Sequence, residues 1–478
     1  MSGSATLKLS GTQFRRVGLI AIQAAFIVGC LVTLFVVWNL PKYVPLLPLF
    51  FLGCLGGWYV FQRPLLNIAM LMGSVVLILD HEDGIQIEEV FFGLYYLAFL
   101  GHWFVTRIFL MDKPVFIRRE ERVLIVFLVL MTFTPLLTLL MQGHMGTARG
   151  EWISLSFLAL YFPIKEAVVT YKKGMLVVLG GLAWIGLFVL VRNVFNYQEV
   201  LLSATYAYQI THGRAVTNEG PLLTAAFLSL VFVLYSVDKK VRLLAVPLFA
   251  AFLGGLLLTQ SRGYWLAFIA GSLFLFYISP AKYRWRLFNT GALAGVLAFG
   301  AAFILLGDLV TLVIAGMFDR LVSIANASTS DISLVNRFME SKAVVQWIAI
   351  NPIVGYGIGF NYAVFDIIYE WTAVKSFVHN GYLALWLKFG IWGLGMVMYF
   401  LVSVFRRAIR VIRSGHVFST EMICCAGVAA CIAAFSISAN TSNPFYINDM
   451  MFLCAILTGL AGGCVVRHEN QRRADPSI

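Results

Sequence analysis

Charge is what this sequence has least of. Only 12% of its 478 residues are charged, about half the share of an ordinary soluble domain. That excludes a soluble globular protein. Cysteine is no better placed for chemistry. The seven are Cys30, Cys54, Cys424, Cys425, Cys431, Cys454 and Cys464, all in apolar stretches and without a CxxC pair, which excludes a disulfide frame or a zinc ribbon. There is no HExxH, and no DxD at the loop starts. Gly355-x-Gly-x-Gly follows no strand and lacks dinucleotide spacing. The residues call for no metal and no cofactor. Internal repeats and low-complexity tracts are missing too.

What is present is apolar length. The chain is 60% hydrophobic, and runs of about 20 apolar residues recur, each long enough for a membrane span. Hydropathy predicts about fourteen spans, the first over 17–38 and the last over 449–466. The fold class expected is an all-α polytopic membrane protein with one large loop containing short helices. The first span ends at Asn39-Leu40-Pro41 without small residues at a cleavage position, so it reads as retained.

The net charge of +12 would suggest nucleic acid in a soluble protein. Here it reads as positive-inside bias instead. With a cytoplasmic N-terminus, most of the 35 Lys and Arg fall in cytoplasmic loops. Arg406, Arg407, Arg410 and Arg413 form one such group, and Lys239, Lys240 and Arg242 another. The acidic run Asp80-His81-Glu82-Asp83 falls on the far side. Both ends are then cytoplasmic, and two long far-side segments stand out against otherwise short loops. One runs from 192 to 218, the other from about 307 to 378. The second contains a helix that Asp331 or Ser333 could cap, ended by Asn351-Pro352. The organisation expected is 1–215 as N-terminal helices with the first long segment, 216–312 as central helices, 313–378 as the large loop, and 379–478 as C-terminal helices with a short tail.

The far-side segments gather the chemistry. Arg214, Arg262 and Arg337 are guanidinium groups near a bilayer surface, suited to a phosphate or diphosphate through their planar fork. The bland alternatives are a snorkelling Arg262 and an Arg337 paired with Glu340 on its own helix. His379, at the start of a span, has a side chain able to take a proton near neutral pH. Its bland alternative is a helix-end histidine bonded to a carbonyl. Lys388 lies inside the same span and needs a partner, with Glu219, Asp366 and Glu370 as candidates. Arg192 reads as ordinary loop charge. Aromatics such as Trp347, Tyr356 and Trp371 could stack on sugar faces or form an interfacial belt.

Order and spacing then add a resemblance. Ser261-Arg262-Gly263, Asn336-Arg337, Trp347, Asn351-Pro352-Ile353-Val354-Gly355-Tyr356-Gly357, and His379-Asn380 followed by Gly390 and Gly393 together resemble the O-antigen ligase and polymerase superfamily of membrane glycan transferases. The likeness covers residues 220 to 400. It implies a GT-C-like bundle and metal-independent, inverting transfer from an undecaprenyl-diphosphate-linked oligosaccharide. It implies His379 as base or acceptor-positioning residue and Arg262 and Arg214 as diphosphate-binding residues, with Arg337 a further candidate for the diphosphate. Asn380, Tyr382 and Tyr264 would position donor or acceptor. Where many relatives carry an acidic residue, this chain has Lys388.

The function expected is a polysaccharide polymerase of the Wzy type working on the periplasmic face of a bacterial inner membrane. The alternatives are a ligase delivering the glycan to lipid A core or protein, and a transporter of the lipid-linked glycan. The partners implied are the lipid-linked oligosaccharide, membrane lipid and other polysaccharide assembly proteins, with no nucleic acid.

Overall fold

The computed structural model describes residues 47–79, 86–110, 118–141, 143–203, 217–307, 332–366, 370–414 and 419–474, with the single residue Ala315. The first expected span, Arg214, the acidic run at 80–83 and Asp331 lie outside the described residues.

The chain forms two compact units. One comprises 1–67 and 101–115. Among its described residues it holds α1 (Leu47–Phe61), the first turn of α2 (Pro64–Ser74) and the end of α3 (Ile87–Val105). Proline opens α2 because its missing N–H is one a helix start leaves unbonded anyway.

The other unit, 68–100 and 116–478, holds everything discussed below. Its helices run in order as α4 (Arg119–Leu140), α5 (Met145–Thr170), α6 (Gly174–Ser203), α7 (Glu219–Tyr235), α8 (Lys239–Leu258), α9 (Arg262–Ile278) and α10 (Ala281–Leu306). Then come α11 (Ile332–Ile350), a hairpin of β1 (Tyr362–Asp366) and β2 (Trp371–Lys375), α12 (Gly381–Arg413), α13 (Thr420–Ser438) and α14 (Asn448–Ala474).

Among the described residues, seven helices are long and apolar enough to cross a membrane: α4, α5, α6, α8, α12, α13 and α14. The chain is a multi-pass membrane protein. Two further apolar helices, α7 and α9, have 17 residues each. The sequence count of about fourteen is not reproduced at that number. Part of the difference is length: the runs expected at 219–237 and 262–279 are these 17-residue helices, a little short for a crossing. The core lies among α5, α7, α13 and α14. In α14, 89% of the apolar stretch is buried, whereas α4 buries only 22% and presents the rest outward.

The large loop carries the one departure from an all-helical chain among the described residues. β1 and β2 pair antiparallel, with Tyr362 opposite Lys375 and Asp366 opposite Trp371. The alternation is period two: Tyr362 and Val364 are buried, Ala363 and Phe365 exposed, as a half-buried strand requires. The buried face packs on α11 and the start of α12, in a core of Val344, Ile348, Tyr356, Phe360, Tyr362, Val364, Val378, Ala384 and Leu387. This small core positions the site.

Candidate active site at the head of helix α12

Two residues begin the site. Asn380 caps α12, its side-chain oxygen accepting from the N–H groups of Tyr382 and Leu383 at 3.1 Å each. Asn is among the best residues for that position because it satisfies donors the helix leaves unbonded. Just before it, Val378 is fully buried, and its carbonyl accepts from Asn443 Nδ2 at 2.8 Å. His379 is therefore held from both sides.

The imidazole meets a carboxylate from α11. Nδ1 of His379 lies 2.9 Å and 3.2 Å from the two oxygens of Glu340, and the His379 backbone N–H donates to the same carboxylate at 2.6 Å. Glu340 is 3% exposed and the His379 side chain 38%. A carboxylate at Nδ1 fixes the proton on that nitrogen and leaves Nε2 as the acceptor. Among the described residues Nε2 has no hydrogen-bond partner. The Phe377 ring stands perpendicular to the imidazole, with centroids 5.2 Å apart. A neighbouring phenol, Tyr362, is pushed well up by burial and by the Glu340 charge, so it stays protonated.

The turn between α13 and α14, residues 439–447, draws three elements together. Gly381 N–H donates to Ala439 O at 2.8 Å, and Asn380 Nδ2 reaches Asn440 O at 3.5 Å. Arg337 Nη1 donates to Thr441 O at 2.8 Å. A Cβ on Gly263 would stand 2.9 Å from Thr441 Oγ1, so α9 begins against the same residue. Arg262, the first residue of α9, is half-buried there. Glu340 is occupied by His379, so the reading that pairs it with Arg337 along the helix does not describe this structure.

The two tyrosines differ. Tyr382 is half-exposed, donates to Ser436 O at 2.8 Å, and lines a cavity of about 190 Å³ with Met398, Phe405, Phe435 and Phe445. The walls of this cavity are almost wholly apolar. Tyr264 is 5% exposed, its hydroxyl directed to Met450 Sδ at 3.8 Å.

Lys388 has a partner that none of the candidates anticipated. Its ammonium bonds Glu151 of α5 at 3.0 Å and the Phe360 carbonyl at 2.8 Å. Glu151 also accepts from Gly359 N–H at 2.7 Å. The pair thus clasps the glycine passage between α5 and α12. Two residues on, Gly390 has φ +66 and divides α12 into a short leg carrying the site and a long leg. A side chain at Gly390 would collide with the Ile353 carbonyl, and one at Gly355 would come within 2.5 Å of Gly390 N. The two glycines let these backbones cross in contact.

A family model described as O-antigen ligase matches residues 247–400. This segment is similar to the O-antigen ligase family. The matched segment takes in Arg262, Tyr264, Arg337, Glu340, His379, Asn380, Tyr382, Lys388 and the two crossing glycines. Arg214 precedes it, and so does Glu151, while Asn443 and Thr441 follow it. The chain matches no curated protein.

Sequence reasoning missed Glu340 as the partner of His379, although its place three residues after Arg337 was visible. It missed Glu151, which is 237 positions from Lys388 and carries no local signal. It also read Arg192 as loop charge. The structure gives Arg192 Nη2 to Thr217 Oγ1 at 3.2 Å and to Asn218, whose amide reaches Asp449 at 3.0 Å.

Proposed function

We propose that the protein transfers a glycan from an undecaprenyl-diphosphate carrier to a sugar hydroxyl, with inversion and without a metal. The observation that carries this is the His379–Glu340 pair, held at one end of the bundle beside Arg337 and the start of α9. The other end of α12 bears Arg406, Arg407, Arg410 and Arg413. By charge bias that end is cytoplasmic and the site faces the periplasm. The chain would then sit in a bacterial inner membrane with both termini cytoplasmic.

The chemistry follows from the tautomer. The acceptor hydroxyl gives its proton to Nε2 of His379 while its oxygen attacks the anomeric carbon. The bond from that carbon to the diphosphate oxygen breaks, and its electron pair leaves with the diphosphate. Glu340 holds the resulting imidazolium. Arg262, Arg337 and Arg214 stabilise the departing anion through charge-assisted bonds. Attack opposite the leaving group inverts the anomeric centre. The apolar cavity beneath Tyr382 supports a lipid donor whose chain stays in the membrane.

Polymerisation, with a second lipid-linked repeat unit as acceptor, is the first reading. The family description itself favours the alternative, a ligase with lipid A core or protein as acceptor. A lipid-linked glycan transporter ranks third, since the residues proposed to act on the glycan gather at one end and no related halves are evident in the sequence. The deciding experiment gives the purified, reconstituted protein its lipid-linked repeat units alone. Longer lipid-linked chains mark a polymerase, and product only on adding lipid A core marks a ligase. His379→Ala and Arg262→Ala are expected to insert normally and abolish transfer. Full transfer by either would remove the role assigned to it. Activity is expected to persist in EDTA.

A further inference from the structure

Helix α11 is amphipathic in the opposite sense to a helix that faces water. Its inward arc carries Arg337, Glu340, Val344 and Ile348, with Glu340 and Val344 almost fully buried. Its outward arc carries Leu334, Val335, Phe338 and Val345, and Phe338 is 70% exposed. One charge, Lys342, interrupts that arc. A helix in water turns its charges out and its apolar stripe in. Here the charges serve the site and the apolar residues are left outside.

The apolar edge also leads somewhere. Ile350 ends the helix on this edge, and Ile353 and Val354 carry it beyond, at 73%, 58% and 57% exposure. Between them the Pro352 carbonyl accepts from Ile391 N–H at 2.9 Å. Ile391 opens the long leg of α12, which runs to Arg413. α12 as a whole, Gly381–Arg413, is long and apolar enough to cross a membrane. Its own outward residues are Ile391, Trp392, Tyr399 and Val402, the flank that must meet lipid. The outward arc of α11 therefore continues the lipid-facing flank of a span, joined to it by a backbone hydrogen bond.

We infer that α11 lies in the membrane interface, with Leu334, Phe338, Val345 and Ile350 immersed among phospholipid chains. Lys342 extends from the stripe to the headgroups, as long cationic side chains do. Combined with the transfer reading above, on which this consequence rests, the seat holds Arg337 and the His379–Glu340 pair at headgroup depth, where a lipid diphosphate presents its anion.

The test uses the full chain in phosphatidylethanolamine–phosphatidylglycerol nanodiscs with one chain per disc. A nitroxide amino acid is placed at position 338 or 345, with position 239 as the water reference. Both sites are expected to be open to oxygen and shielded from a water-soluble nickel chelate, unlike 239. Nickel access at 338 and 345 overturns the inference. So does shielding that arises only with two chains per disc, which assigns the face to a second copy. This readout needs no activity, so it stands or falls apart from the transfer reading. For the consequence, Phe338→Asp with Val345→Asp should raise KM for the lipid-linked donor about tenfold with kcat held within about twofold. Unchanged KM in that variant removes the link to the site.

Discussion

Glu340 does two jobs with one carboxylate: it bonds the His379 backbone and sets the tautomer of its ring. Glu340→Gln keeps an acceptor but loses the charge that steadies an imidazolium. Its kcat should fall on the order of 10²-fold, with donor KM little changed, as measured by glycan transfer in proteoliposomes. Lys388 and Glu151 pose a different problem. Lys388 is fully buried, so Lys388→Met alone strands a carboxylate, at a cost of about 3–5 kcal/mol. Replacing both, Lys388→Met with Glu151→Leu, should recover most of that, measured as thermal stability in detergent. Tyr362 bears on alkaline pH. Its folded pKa is raised, so its contribution is complete below the ordinary phenol range and is lost as pH rises beyond it. At this scale His379, Arg262 and Arg337 were legible because motif spacing marks them. The carboxylates that meet His379 and Lys388 were not, because contact between α11 and α12, or between α5 and α12, is a property of packing that no local pattern carries.

Among the elements, α12 owes its form to its ends and its break. The Asn380 cap contributes about 1 kcal/mol, and it also fixes where His379 leaves the helix. Gly390→Ala forces a side chain into the Ile353 carbonyl at a left-handed backbone position. It should lower both stability and transfer, whereas Gly395→Ala, which meets nothing within 4 Å, should leave both intact. Thermal unfolding and transfer assays separate the two. The helix Ile332–Ile350 and its stop before Asn351-Pro352 were readable from the proline signal. The hairpin was not anticipated, although Tyr362 to Asp366 and Trp371 to Lys375 carry the aromatic and β-branched residues of strands. Each strand is only five residues, too short for periodicity to stand out in a chain this apolar. The inverted face of α11 was hidden for another reason: Ile348 groups with Phe338 and Val345 when the helix is read from sequence, but it is buried on the side of Glu340, and sequence does not say which side meets lipid.

Across the whole chain, the end of the bundle away from His379 is closed by ion pairs. Arg407 meets Glu120 at 2.6 Å, Arg118 meets Glu469 at 2.6 Å, Arg467 meets Glu421 at 3.3 Å, and Lys165 pairs with Glu121. These join α4, α5, α12, α13 and α14 where the site is not. Glu120→Gln should therefore lower thermal stability by about 1–3 kcal/mol and leave the KM of transfer unchanged. Reporter fusions at Lys239 and Lys375 should fall on opposite sides of the membrane, the first cytoplasmic; both on one side would refute the assigned topology. That the chain is a multi-pass membrane protein was plain from composition. The number of spans was less so, because helices of 17 residues and helices bent at glycine or proline blur the correspondence between one apolar run and one crossing.

The turn at 439–447 has a consequence for the life of the protein. The carbonyls and amide that gather His379, Arg337 and the head of α9 are encoded beyond all three, and they reach the membrane only when α13 and α14 have been inserted. A partly synthesised chain already holds every charged residue proposed to act on the glycan, and the contact of Glu340 with His379, yet lacks the turn that ties Arg337 and the head of α9 to them. The proposed transfer therefore requires the last pair of helices.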